Sequence, residues 1–270
     1  MKKAITYAML IFCSLLFIAP LFWAVTTALK TPQELYLFPP KWLPSVWRFE
    51  NFAEAWNIQP FNLFLKNTLI VTLLSTLGQL ISCTLVAYGF ARFQFKGRDF
   101  LFLIVLATMM IPWEVTMIPQ YMEFNYLGWI NTLKPLIVPS WFGSAYFIFL
   151  LRQFIMTLPR ELDEAATIDG AGKMMVLMRI IVPLMGPSLI LVAVFQMMSC
   201  WNDYLGPLIF LNDQAMYTLT LGLSQFKGMH GVDMQSIMAI TCLISIPPLA
   251  VFFFAQRYIV GGIATTGIKG

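Results

Sequence analysis

Histidine, charge and paired cysteine are all scarce in this chain, and each scarcity removes a class of function. His230 is the only histidine in 270 residues, so a multi-histidine metal site is excluded. The four cysteines (Cys13, Cys83, Cys200 and Cys242) are scattered through apolar segments with no C-x-x-C pair. They read as packing thiols, with neither a disulfide framework nor a metal site. A Gly-x-x-x-x-Gly-Lys-Ser/Thr loop, which would cradle nucleotide phosphates, is missing. The nearest spacing, in 261-GGIATTGIKG-270, has Ile268 where the lysine belongs and no helix to follow. By that route the chain cannot hydrolyse ATP. A Ser-His-Asp, Cys-His or paired-carboxylate set cannot be assembled on one face either, so no catalytic residue is assigned.

Only 11% of residues are charged, against roughly 25% in soluble domains. Hydrophobic residues make up 59%, in runs of about 20 or more, long enough for ~30 Å of hydrocarbon. Helices and closed barrels alone satisfy every backbone group in lipid, so the expectation is an all-α integral membrane protein. The N-terminus has the basic start of a signal peptide, but its apolar core runs from about Ala4 to Leu29, beyond the 7–15 residues of a signal h-region. It reads as the first span.

Hydropathy predicts six spans at about 5–29, 63–91, 100–120, 134–156, 183–209 and 237–259. Prolines 112, 119, 135, 139, 187, 207 and the pair 247–248 interrupt or border them, which predicts kinks. The loops then alternate. One side holds Lys2, Lys3, Arg92, Lys96, Arg98, Arg152, Arg160, Lys173, Arg179, Arg257 and Lys269. The other holds Lys30, Lys41, Arg48, Lys66, Lys134 and Lys227. The basic excess puts both termini and the 157–182 segment in the cytoplasm. The first external loop, about 30–62, is rich in proline and tryptophan and reads as a stiff connector lying at the interface. Membrane lipid is an expected partner; nucleic acid is not. Nor is there an intramembrane relay of acids and histidines of the kind a proton-driven carrier needs.

Between the fourth and fifth runs stands 161-ELDEAATIDGAG-172, with four carboxylates in a polar turn. Pro159 suits a first helical turn, and the acids suit the positive end of a helix dipole. Ala165 and Ala166 favour helix, while Gly170 is a natural stop. A second amphipathic piece, Lys173 to Val182, leads to Pro183. Small residues in the middle of the helix would let it lie deep in another protein's groove, with Glu164 meeting basic residues there. A capped surface connector is the plainer alternative.

Glu164-Ala165-Ala166, then Gly170, Ile180 and Pro183, resembles the E-A-A-x-x-x-G-x9-I-x-L-P motif of binding-protein-dependent ABC importer permeases. Asp169-Gly170-Ala171 is similar to the fuller form found in sugar importers. Val182 replaces the usual Leu, and Leu177 stands where an aromatic is frequent. The stretches 29-LKTPQELYLFPPKWLP-44, 51-NFAEAW-56, 88-YGFARFQFKGRD-99, 201-WNDYLGPLIF-210 and 256-QRYIVGGIATTGIKG-270 resemble the maltose-type sugar permease family over nearly the whole chain.

The resemblance implies a type I ABC importer fold with six membrane helices and a cytoplasmic coupling helix. It implies 1–62 as an N-terminal span with its external loop, 63–260 as the permease domain and 261–270 as a cytoplasmic tail, in a bacterial inner membrane. Glu164, Ala165, Ala166, Asp169, Gly170, Ala171, Ile180 and Pro183 would couple to an ATPase. That ATPase, in two copies, would bind the ATP and Mg, leaving no cofactor in this chain. A second homologous permease and an extracytoplasmic solute-binding protein would complete the importer.

Polar groups at membrane depth tend to face a bundle interior or aqueous cavity. Glu114, Gln196, Ser199, Asn202 and Asp203 are therefore candidates for the substrate path, with Trp113, Trp141, Trp201 and Tyr204 nearby. The expected cargo is a di- or oligosaccharide. A glycerol-3-phosphate-like or polyol cargo stays open, as does a membrane scaffold that conducts nothing. On the coupling reading, Glu164→Lys or Gly170→Asp abolishes uptake while the protein still inserts. An uptake assay alongside a membrane-fraction blot checks this, and normal uptake counts against the reading.

Overall fold

The computed structural model describes residues 2–228 and 231–266. His230, Lys269 and residues 267–270 of the expected tail lie outside them. Among the described residues nearly every element is helical. In chain order they are α1 (Lys2–Ala28), α2 (Pro32–Leu35), α3 (Glu50–Ile58), α4 (Phe61–Arg92), α5 (Arg98–Thr108), α6 (Trp113–Tyr126), α7 (Lys134–Ile137) and α8 (Ala145–Thr157). They continue as α9 (Glu161–Ile168), α10 (Lys173–Val176), α11 (Val182–Leu184), α12 (Gly186–Asn202), α13 (Leu205–Phe210), α14 (Leu219–Leu223) and α15 (Met234–Thr266). A minimal hairpin pairs β1 (Lys227–Gly228) with β2 (Gly231–Val232).

Four stretches are long and apolar enough to cross a membrane: Lys3–Ala28, Phe61–Arg92, Lys134–Thr157 and Met234–Arg257. Two bent pairs complete the expected six if each is one span: α5 with α6, turned by 93°, and Lys173–Leu184 with α12, turned by 79°. The third and fifth spans are therefore not the straight rods that a hydropathy profile suggests. Proline is the cause in both. Pro112 drives Ile111 out of helical conformation and then opens α6 with an extended φ/ψ of −67°/144°. Pro187 lacks an N–H and its ring crowds the carbonyl four residues back, so the helix breaks at Met185 and restarts at Gly186. Between α10 and α11 the backbone widens into a π turn over Leu177–Ile181. The fifth span accordingly carries its bend at Met185, between α11 and α12.

The fourth span is itself interrupted. After α7 it tightens to a 3₁₀ turn over Val138–Phe142, passes Gly143 at φ +83° and resumes as α8. Backbone groups freed inside a membrane need partners from neighbouring helices, and α4 supplies them. The Gln79 amide spans the break, its nitrogen 2.9 Å from the Ser140 carbonyl and its oxygen 2.8 Å from the Ser144 N–H. The Ser75 hydroxyl donates to the Leu136 carbonyl at 3.0 Å. Gly78 allows this approach, since a Cβ there would lie 2.5 Å from Trp141 Cδ1.

The chain divides into two compact units, Met1–Leu65 with Thr218–Leu249, and Lys66–Tyr217 with Ala250–Gly270. In the second unit a continuous core joins Cys83, Ala87 and Ala91 of α4 to Phe102 of α5, Leu151 and Ile155 of α8, Ala166 of α9, Val176 of α10, Ile181 and Val192. In the first unit α1 exposes apolar side chains along most of its length, as a lipid-immersed helix does. The loop after it is ordered by buried polar contacts. Lys30 is buried, donates to the Lys41 carbonyl at 2.6 Å and sits 4.3 Å from the Trp23 ring centre. Trp23 meets Trp42 edge-on at 5.2 Å. Asn51, buried, donates to the Ala28 and Lys30 carbonyls at 2.8 and 3.0 Å.

Glu34 closes the same loop. Its carboxylate accepts from the Thr31 N–H at 3.0 Å and the Ser45 N–H at 2.8 Å. Hydrogen bonds from the Ser45 side chain, then from the Thr31 and Ser45 backbone, pull its pKa from 4.5 to about 2. A depressed carboxyl pKa stabilises the fold above the unfolded value, and that contribution fades as pH falls through the folded one. Glu34→Gln therefore lowers the melting temperature at neutral pH, and the gap to wild type closes as pH drops from 4.5 towards 2. Thermal melts in detergent across that range check it.

Candidate functional site

The 157–182 segment folds into the small helix its residues predict, with shifted edges. Pro159 lies in the approach and not in the first turn; α9 begins at Glu161 with Arg160 before it. Glu161, Asp163 and Glu164 all fall in the opening turn, where the exposed N–H groups favour negative charge. The C-terminus closes as a Schellman turn. The Ala171 N–H donates to the Ala166 carbonyl at 2.9 Å and the Gly170 N–H to the Thr167 carbonyl at 3.0 Å. Gly170 sits at φ +83° with nothing within 4 Å of a notional Cβ. A side chain there meets a backbone cost of about 1–2 kcal/mol, not a clash.

The helix has two unlike faces. Leu162, Ala165, Ile168 and Asp169 recur at helical spacing and are exposed, Ile168 to 86%. Glu164 flanks them, also exposed. The opposite face belongs to the chain's own core. Ala166 is buried in the cluster with Tyr88, Ala91 and Leu151, and Ala171 packs against the same cluster half-buried. This corrects the expectation that Ala166 shares an outward small face with Ala165. Ile180 is half-buried against the core beyond the turn, and Pro183 is exposed.

Asp163 turns inward as well. Its Oδ2 lies 2.7 Å from Arg92 Nε at the end of α4, with the two side chains 18% and 6% exposed. The Arg92 N–H is not aligned on that oxygen, and Asp163 Oδ1 accepts no hydrogen bond, so the contact is one of charge on charge. Arg92 Nη2 also donates to the Leu158 carbonyl at 3.0 Å. Sequence reasoning missed this pair. Arg92 counted only as one basic loop residue, and no periodic pattern links positions 71 residues apart.

The substrate-path candidates fall on two helices. Glu114 is exposed in the first turn of α6. Gln196 and Ser199 share a face of α12, and the Gln196 amide donates to Cys200 Sγ at 3.2 Å. Asn202, exposed, donates to the Met198 carbonyl at 2.8 Å. Asp203 follows α12 and accepts from the Gly206 N–H at 3.1 Å, closing the first turn of α13. Asn202 and Asp203 are thus engaged with their own backbone. Gly206 is matched to that cap, since a Cβ there would lie 2.5 Å from Asp203 Oδ2. No group of three His, Cys, Asp or Glu side chains is placed to hold a metal among the described residues. The first unit also holds a cleft of about 370 Å³ bordered by Arg48, Glu54, Asp233 and Gln235, none of them marked by the sequence.

Residues 81–265 match the family described as binding-protein-dependent transport system inner membrane component. The chain is 31% identical over 262 residues to the arabinooligosaccharides transport system permease protein AraQ of Bacillus subtilis, covering 95% of this chain and 92% of that one. It is 33% identical over 265 residues to the sn-glycerol-3-phosphate transport system permease protein UgpE of Yersinia enterocolitica, covering 95% and 94%. Its fold is that of a chain in the crystal structure of a bacterial ABC transporter importing the acidic polysaccharide alginate, with TM-score 0.85, 20% identity, and 95% and 96% of the two chains covered.

The two faces of α9 make separable predictions. Ala166→Leu overpacks a closed core and costs about 1–3 kcal/mol. Ala165→Leu, on the open face, stays within about 0.5 kcal/mol. Thermal unfolding of the two purified variants in detergent checks the split.

Proposed function

Since the chain belongs to the binding-protein-dependent transport system inner membrane component family, we propose that it is one of two different permeases lining the membrane path of an ATP-driven importer. Two copies of an ATPase sit against it and carry the ATP and Mg, so the chain itself performs no catalysis and holds no cofactor. An extracytoplasmic binding protein delivers the cargo. The span from about 63 to 260 is the permease domain, residues 1–62 supply the first span and its loop, and both termini lie in the cytoplasm of a bacterium.

The observation that carries the reading is the division of α9. One face, with Asp163 and Ala166, is locked into the chain, while Leu162, Glu164, Ala165, Ile168 and Asp169 stand free. Closure of an ATPase dimer can shift membrane helices only through a connector that is rigid on one side and open on the other. Gly170, Ala171, Ile180 and Pro183 shape the turn that carries this helix into the fifth span. Gln196 and Ser199, with Glu114 directly after the kink of the third span, are the path candidates whose side chains are not spent on backbone caps.

The cargo is a di- or oligosaccharide on this reading, as for the AraQ relative. A glycerol-3-phosphate-like cargo is the second reading, favoured by the comparable identity to UgpE. Purification of the tagged chain in mild detergent should recover an ATPase and a second, non-identical permease by mass spectrometry. The binding protein encoded with them is then melted with arabino-oligosaccharide and with sn-glycerol-3-phosphate, and the ligand that raises its melting temperature names the class. Recovery without an ATPase, where a known importer stays whole, leaves a scaffold as the better account.

A further inference from the structure

We propose that Arg92 is a strut that makes the C-terminal end of α4 and helix α9 one rigid piece, so that a push on α9 moves the second span directly. The proposal rests on the coupling reading above. Along the backbone α9 is joined only to α8, through Leu158–Arg160, and to α10, through residues 169–172. Nothing covalent ties it to α4.

The Arg92 guanidinium closes that gap at two points. Its Nε meets Asp163 on α9 at 2.7 Å and its Nη2 bonds the Leu158 carbonyl, where α8 ends, at 3.0 Å. One turn earlier on the same face of α4, the Tyr88 hydroxyl donates to the Lys173 carbonyl at 3.2 Å, at the first residue of α10. From the other direction Arg152 of α8 donates through Nε to the Phe90 carbonyl at 3.4 Å and covers the Phe102 ring at 4.1 Å. The end of α4 is therefore tied to both flanks of α9 as well as to α9 itself.

Burial makes the central tie hard to break. An exposed ion pair contributes little and exchanges readily with water. A buried one, opened by motion, leaves an uncompensated charge on each side. At 6% and 18% exposure, Arg92 and Asp163 are in the second situation. Ala91 and Ala166 pack in the same cluster beside them, with side chains too small to hold the helices apart. A transmitted force takes the stiffest route, and here that route leads into α4. The same helix clasps the break of the fourth span through Gln79 and Ser75, so displacement of α4 reaches that break without passing through a loop.

Two nitroxide labels test the strut in the whole importer, purified with its ATPase in a background freed of native cysteines. Gly89→Cys is suitable on α4, because a Cβ there meets nothing within 4 Å. Thr167→Cys is suitable on α9, since it is exposed and turned away from the open face. Pulsed electron paramagnetic resonance should give one narrow distance, unchanged between the nucleotide-free and ATP–vanadate-trapped complexes. Adding Asp163→Asn should broaden that distance and make it shift with nucleotide. A shift in the complex with Asp163 intact overturns the proposal, and that measurement stands even if Asp163→Asn fails to insert. A distance that stays narrow and fixed in Asp163→Asn overturns the role of Arg92. Absence of the ATPase from the unmutated complex overturns the coupling reading instead, and is seen before any distance is recorded.

Discussion

A peptide group in hydrocarbon finds no water, so each one has to be bonded within the chain. Wherever prolines interrupt a span, the neighbouring helix must make up the loss. The fourth span shows the arrangement in detail. Its backbone leaves the α-helical pattern over Val138–Ser144, and Gln79 takes both a carbonyl and an N–H from the two sides of the break. Ser75 takes another carbonyl one turn away on the same face of α4. Gly78 stands between them because only a residue without a Cβ admits Trp141 at that distance. The polar and small residues of an otherwise apolar helix are thus explained by the backbone of its neighbour.

The same helix ends at the candidate coupling site. Midway along its length α4 satisfies a broken backbone, through Ser75 and Gln79, and at its last residue it places a buried guanidinium against Asp163. The core between joins Cys83, Ala87 and Ala91 to α8, α9 and the π-widened turn before the fifth span. Close packing of this kind transmits displacement, because interiors have little free volume in which to absorb it. A helix with one face built into such a core and the other left open suits docking to a moving partner. The bends at Met185 and at Met109–Pro112 divide the third and fifth spans into pieces that can be oriented separately.

Much of this was legible in the residues. Apolar runs of spanning length, the proline-driven kinks, a small helix over the acidic stretch and its stop at Gly170 all follow from local rules: run length, the missing N–H of proline, end charges and the left-handed preference of glycine. What stayed hidden was which residues meet. Ala165 and Ala166 are equivalent as sequence, yet one is exposed and the other buried. Asn202 and Asp203 looked like path residues by type, and the structure engages both in backbone hydrogen bonds of their own segment. Glu34, Asn51 and Lys30 order the loop after α1 through buried contacts that its proline content did not indicate.

Composition and run length by themselves determined that the chain lies in a membrane, which runs are long enough to cross it and where a polar helix interrupts them, because those features depend on transfer from water and on local backbone preference. Tertiary structure alone decided which face of that helix is free, that Arg92 pairs with Asp163, and that Gln79 bridges the broken fourth span. The last two join residues about 60 to 70 positions apart, and such a meeting is set by how helices pack, which no local pattern in the chain encodes.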